Sequence, residues 1–142
     1  MKAKFKILLG LAGAASIGLL AIQFVPVDYI NPPIRGIPRW DSPRTEALAR
    51  RACYDCHSNE TRWPAYSRVA PLSWWIVAHV RDGRSHLNFS EPPYEEADEA
   101  AEELMEGEMP LRSYVLAHAE ARLTPAETQQ LAEGLRRTFG SD

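Results

Sequence analysis

The only two cysteines of the chain stand three residues apart, in Cys53-Tyr54-Asp55-Cys56-His57. A random shuffle of this composition gives C-x-x-C-H roughly once in 2,500 chains, so the arrangement asks for a chemical reason. Thiols three apart at a helix end lie on one face and can both reach the vinyl groups of a single haem. The histidine that follows then lies beneath the porphyrin, where its imidazole can bind iron. Three other chemistries compete. A thioredoxin-like redox pair needs a βαβ context, and no strand pattern precedes the motif. A zinc site needs a fourth ligand, for which the chain offers only scattered histidines. A structural disulfide leaves His57 without a role. The motif therefore predicts one covalent c-type haem per chain, attached through Cys53 and Cys56, with His57 on the iron.

A resemblance extends beyond the motif. Asn31-Pro32-Pro33, Cys53 through Thr61, Trp63-Pro64, Tyr66-Ser67, Ala70-Pro71, Ser73-Trp74, Leu87-Asn88-Phe89-Ser90 and Gly107-Glu108-Met109-Pro110 together resemble the bacterial haem-binding domain family, over about residues 31–139. Its members are short proteins with an N-terminal membrane segment and one C-x-x-C-H motif, related to the cytochrome c superfamily. The resemblance implies monohaem c-type binding and leaves the biological role open.

The second iron ligand has several candidates. Met109 lies 52 residues after His57, ample chain to reach the opposite haem face. It sits where class I cytochromes carry this ligand, in a loop before the last helix, and Gly107 and Pro110 make that turn stiff. A thioether ligand favours Fe(II) and raises the potential relative to bis-histidine. His79 is the main rival, although a histidine on an apolar helix face is commonly a core residue. His86 and His118 stand in polar surroundings and are expected to be solvated, and Met105 is expected to fill core. An open sixth position is the remaining alternative. Arg62, Trp63 and Tyr66, with Arg68, cluster after the motif and offer the donors a haem propionate needs, or else decorate the surface. The Pro71 carbonyl could accept the His57 Nδ1 proton and fix the imidazole, or Pro71 could simply open a helix.

The elements that must position these residues fall into three parts. Residues 1–25 carry Lys2, Lys4 and Lys6 and no acid, so the remaining 117 residues hold 13 basic and 19 acidic side chains, a net of −6. An acidic body excludes a nucleic-acid binder, which needs a basic face. From Ile7 to Val25 the chain is apolar apart from Ser16 and Gln23, about 28 Å of helix and close to the thickness of a bilayer core. Lysines before the run place its N-terminus inside and the body outside. A cleaved signal peptide would have a shorter apolar run and a small-x-small site, and Ile22 to Val25 are bulky. A core helix would not open on a lysine cluster. Residues 26–42, with four of the chain's 11 prolines, read as an irregular tether.

The body, 43–142, reads as all-α with four helices. The first runs from Pro43 to Cys56, capped by Ser42, with Leu48, Ala52 and Cys56 on one face. The second runs from Leu72 to Ser85, with Leu72, Trp75, Ile76, His79 and Val80 as its inward stripe. The third, Pro93 to Glu106, turns Ala97, Ala101 and Leu104 inward, keeps its acids on a solvated face and ends at Gly107. The last opens on Thr124-Pro125-Ala126-Glu127, a capping box, and carries Leu131, Leu135 and Phe139.

The expectation is a small cytochrome c-like domain of four helices around one haem. It is held by a single-pass anchor to the bacterial inner membrane, faces the periplasm and exchanges single electrons with an unknown redox partner. No paired carboxylates, nucleophile–base pair or phosphate loop points to an enzyme. The alternatives are a haem enzyme or a gas or peroxide sensor with a labile sixth position, and a haem-containing interaction module for another redox protein.

Overall fold

The computed structural model of the chain describes residues 2–94, 97 and 99–140. Among them the architecture is all-α, with seven α-helices and no strand. The helices are α1 (Lys2–Ile22), α2 (Pro43–Ala52), α3 (Tyr54–His57), α4 (Leu72–His86), α5 (Glu99–Glu106), α6 (Arg112–Ala117) and α7 (Pro125–Phe139). Contacts divide the chain into two units. The smaller comprises Met1–Ile30 and Trp63–Ala78, the larger Asn31–Arg62 and His79–Asp142.

In the smaller unit, α1 contains an apolar stretch, Ala3–Ile22, with mean hydropathy 2.0 and no burial along its length. Twenty residues of helix rise about 30 Å, enough to cross a bilayer core. The helix ends where Gln23 begins a turn.

The larger unit is built from α2, α5 and α7. Its core joins Leu48 and Ala49 of α2, Ala101 and Leu104 of α5, and Leu131, Ala132 and Leu135 of α7, with Tyr54, Leu87, Phe89 and Ala97. Each fully buried leucine or phenylalanine contributes about 1.5–3 kcal/mol through removal from water. Helices α2 and α7 approach closely because Gly134 has no side chain: a Cβ there would lie 2.5 Å from Thr45 Cγ2. Both helices start as their sequences foretell. Ser42 Oγ accepts from Thr45 N–H at 3.2 Å, and Thr124 and Glu127 form the reciprocal capping box.

Three expectations change. The first helix does not continue through the motif but breaks at Cys53 (φ −121°, ψ −34°), so that α3 is a separate turn. The third begins at Glu99; Pro93 and Tyr94 are irregular, and positions 95, 96 and 98 lie outside the described residues. The second has the expected span but a rotated face: Ser73, Val77 and Val80 are buried, whereas Leu72 and Trp75 are exposed. The first half of α4 is apolar on nearly every side, so its periodicity could not choose between the two stripes.

Residues 26–42 are irregular, as their prolines require, but 31–40 are part of the larger unit rather than a loose tether. Arg35 and Gly36 N–H donate to the Ser90 carbonyl (2.8 and 3.2 Å), Asn59 Nδ2 donates to the Pro33 carbonyl, and the Trp40 ring packs 5.3 Å from Phe89.

Candidate functional site

Helix α2 delivers the chain to the cysteine motif, and one tight turn does the rest. The Cys53 carbonyl accepts from Cys56 N–H (3.1 Å) and His57 N–H (2.9 Å), which winds the two cysteines and the histidine round a single turn. Helix α4 packs directly on that turn at Gly83, where a Cβ would come within 2.9 Å of the Cys56 carbonyl oxygen. The two cysteines are not joined in a disulfide. Burial pushes the Cys53 thiol up to about 12 and the Cys56 thiol up to about 11. A redox-active pair has the opposite property, a lowered thiol pKa.

His57 is oriented by the end of α4. Its Nδ1 lies 3.0 Å from the Leu87 carbonyl oxygen. A carbonyl can only accept, so Nδ1 carries the proton and Nε2 holds the lone pair a metal needs. Burial lowers the imidazole pKa, against the opposing hydrogen bond to Leu87, and keeps the ring neutral. Pro71 does not have the role its position suggested. Its carbonyl, at the start of α4, is taken by Trp74 N–H at 3.1 Å. Leu87 directly follows α4, where the last carbonyls of a helix have no partner within it, so this one is available.

The two segments that meet here are laced together. Phe89 N–H donates to the His57 carbonyl (2.8 Å), Asn59 N–H to Ser90 Oγ (3.0 Å), and Asn88 Nδ2 to Asn59 Oδ1 (2.8 Å). Arg84 closes the edge, with Nε on the Ser58 carbonyl and a terminal nitrogen on Thr61 Oγ1, both at 2.8 Å.

A cleft with two lobes, of about 380 and 200 Å³, opens beside this turn. Both lobes are lined by Ala52, His57, Asp82, His86, Met109 and Pro110. The larger adds Cys53 and the apolar Leu87, Phe89, Leu104 and Leu135. The smaller adds Cys56, His79 and Tyr114.

Met109 reaches the cleft through a local device. Gly107 takes φ +79°, a left-handed conformation that suits glycine. The chain then folds back so that Glu108 and Met109 N–H both bond to the Glu103 carbonyl (3.1 and 3.2 Å). Beyond Met109, Tyr114 of α6 donates its hydroxyl to Asp55 Oδ2 at 2.7 Å. Arg62 grips the same carboxylate through Nε (3.2 Å) and a terminal nitrogen (3.0 Å). Burial alone would raise the Asp55 carboxyl, but the bonds from Arg62 and Tyr114 outweigh it and hold its pKa below the usual value. The helix after Met109 is thereby tied to the motif.

The haem-binding domain family matches residues 17–137, most of the chain. The chain belongs to that family. No curated protein and no solved structure matches it. The donor set fits the family's cofactor. The haem-binding domain presents two thiols, a neutral imidazole fixed at Nδ1 and a thioether around one largely apolar cleft. Among the described residues, no three His, Cys, Asp or Glu side chains come together as a metal-ion site.

The remaining expected site residues are distributed differently. Arg62 is committed to Asp55 and does not line the cleft. Trp63 and Tyr66 belong to the smaller unit, where Trp63 meets the Tyr29 ring edge-on at 5.3 Å and Tyr66 is exposed. His79 lines the smaller lobe. His86, expected in solvent, has a largely exposed side chain yet lines both lobes, 3.8 Å from Asp82. His118 is not solvated. It stacks on Tyr114 with ring centres 4.4 Å apart, its side chain only 15% exposed. Met105 is exposed rather than buried. Sequence reasoning missed Leu87, Gly83, Asp55 and Tyr114. Leu87 and Asp55 lie in stretches that carry the family resemblance, and Gly83 left a signal as a lone glycine inside a helix.

Proposed function

We propose that this haem-binding domain holds one c-type haem covalently through Cys53 and Cys56, that His57 and Met109 would hold the iron, and that the protein carries single electrons. One observation supports this most directly: Cys53, Cys56, His57 and Met109 line the lobes of one cleft, and the His57 Nδ1 proton is already committed to Leu87. When bound, the haem supplies reversible one-electron exchange at iron. The protein supplies orientation and exclusion of water. Leu87 fixes the imidazole plane and leaves Nε2 for iron, and the Glu103–Met109 turn presents the thioether. Phe89, Leu104 and Leu135 form a dry wall on which burial favours the less charged oxidation state.

The apolar helix α1 is read as an uncleaved single-pass anchor. The Lys2–Lys6 cluster supports a reading with its start in the cytoplasm and the haem domain on the periplasmic side of the bacterial inner membrane. An electron carrier there needs a redox partner protein, and no enzymatic role is assigned to the chain itself.

Expression with a cytochrome c maturation system tests attachment. A c-type pyridine haemochrome that stays with the protein through acid–acetone extraction is expected; haem lost to the solvent would refute it. His86 and His79 also line the cleft, so a bis-histidine site is the specific rival. The weak red absorption band of methionine–iron(III) coordination is expected and would be absent from that rival. Fast carbon monoxide binding to the ferrous protein would instead mark an open sixth position, as in a sensor or enzyme. A reporter fused after Asp142 is expected to be active only outside the cytoplasm.

A further inference from the structure

Five contacts hold residues 63–70 to the chain just past the end of α1. The Gln23 amide pairs with the Ala70 backbone in both directions: Nε2 donates to the Ala70 carbonyl and Oε1 accepts from Ala70 N–H, each at 3.0 Å. Tyr29 donates its hydroxyl to the Ser67 carbonyl at 2.9 Å. The Trp63 ring meets Tyr29 edge-on at 5.3 Å, and the Arg68 guanidinium lies 5.5 Å over the same ring. These ties are short in sequence on the α1 side, so they fix this segment at the level where the apolar helix ends.

The residues next to the tie are apolar and exposed. Val69 is 55% exposed, Leu72 41%, Trp74 38% and Trp75 47%. From Trp63 to Ala78 the only charged side chain is Arg68, and there is no acid, in a chain whose net charge is −3. Four large apolar side chains exposed within residues 69–75 mark a surface that something covers.

We propose that Val69, Leu72, Trp74 and Trp75, held in place by Gln23, form a second membrane contact seated at the headgroup–acyl boundary of the leaflet from which α1 emerges. The proposal rests on α1 spanning the bilayer. Three observations favour lipid over a protein partner or a second copy. The patch is tied to the end of α1 by the Gln23–Ala70 bonds, and the side chains of α1 from Ala3 to Ala21 are exposed. Two tryptophans suit the interface, where the ring meets acyl chain and the indole N–H meets water or headgroup. The absence of acids, with Arg68 alongside, removes repulsion from anionic headgroups. The reciprocal Gln23–Ala70 bonds fit the same setting, because polar groups near the hydrocarbon must find partners within the protein.

Photocrosslinking of the full haem-loaded chain in its membrane tests this. Leu11→p-benzoylphenylalanine reports on the span, and Leu72→p-benzoylphenylalanine and Trp75→p-benzoylphenylalanine report on the patch; adducts are identified by mass. Lipid adducts at all three positions are expected. Adding Gln23→Ala is expected to reduce them at 72 and 75 and leave them at 11; an unchanged yield overturns the role of Gln23. Lipid adducts at 11 with protein adducts, or none, at 72 and 75 overturn the second contact and leave the span intact. No lipid adduct at 11 removes the span itself, and the proposal with it.

Discussion

Gly83→Ala separates two effects that act with opposite sign. Gly83 lies inside α4, and replacing a helical glycine by alanine stabilises by about 1 kcal/mol when nothing touches the new methyl. Here the methyl meets the Cys56 carbonyl oxygen at 2.9 Å and Cys56 Cβ at 3.3 Å. The nearest atom is backbone, which cannot rotate aside, so α4 and the motif turn must separate by some tenths of an ångström. Overpacking of this kind costs about 1–3 kcal/mol. The net is a loss of about 1 kcal/mol, or a melting temperature lower by about 4–8 °C for a unit of this size. Gly134→Ala is the companion. Its methyl would lie 2.5 Å from Thr45 Cγ2 and 2.9 Å from Thr45 Cβ, against a β-branched side chain only 1% exposed. A net loss of about 2 kcal/mol follows, since the steric cost falls at the upper end of the same range. The two variants should exchange rank in a second assay. Only Gly83→Ala touches the cysteine motif, so the visible spectrum and carbon monoxide reactivity should change in it more than in the less stable Gly134→Ala. Calorimetry and absorption spectra of the haem-loaded proteins decide. A Gly83→Ala protein that melts above the wild type would refute the contact argument.

Other consequences can be checked with the same preparations. Met109→Ala should abolish the methionine–iron(III) band, lower the reduction potential and admit carbon monoxide, while His79→Ala should leave the band in place; the opposite pattern would favour a histidine ligand. Cys53→Ala with Cys56→Ala should release haem to acid–acetone and lower the melting temperature, because a small core loses its largest occupant. Asp55→Asn should weaken the bonds from Arg62 and Tyr114 and cost about 1–3 kcal/mol, with partial loss of the methionine band as α6 loosens; full retention of the band would deny the brace its role. Glu127 is held down from 4.5 to about 2, first by Thr124 N–H and then by Arg51. A lowered carboxylate stabilises the fold above its unfolded pKa and loses that contribution as pH falls through the folded value. Denaturant unfolding of Glu127→Gln should therefore show lower stability at neutral pH and a flatter decline between pH 4.5 and about 2.

Local chemistry was the legible part of this sequence. Ser42-Pro43 and Thr124-Pro125-Ala126-Glu127 announce helix starts because a side-chain oxygen must satisfy backbone N–H groups within three residues, and no distant partner is needed. Gly107 announced a stop, and its positive φ is what folds Met109 back onto the Glu103 carbonyl. The C-x-x-C-H spacing belongs to the same class, since one turn of chain is enough to bring its side chains together.

What escaped the sequence depends on choices between equivalent partners. Every residue has a carbonyl, so nothing in the residue types distinguishes Leu87 from Pro71 as the acceptor for His57. The distinction is made by place along α4: the Pro71 carbonyl accepts from Trp74 N–H in the first turn, whereas the Leu87 carbonyl lies beyond the last helical residue, 3.0 Å from His57 Nδ1. Arg62 reads as a propionate donor because it stands among Trp63, Tyr66 and Arg68 just after the motif, and nothing in the residue types pairs it with Asp55. Once Asp55 is seen to be 7% exposed, its charge must be met, and Arg62 and Tyr114 are the groups that meet it. The rotated face of α4 has the same origin. With Leu72, Trp74, Trp75, Ile76 and Val77 all apolar, burial cannot follow hydropathy alone, and the side that packs inward is the one carrying Ser73, Val77 and Val80. The tryptophans left outside are then the cost of that choice in water and an asset at a bilayer surface, which is why the exposed face of α4 and the apolar helix α1 are best understood together.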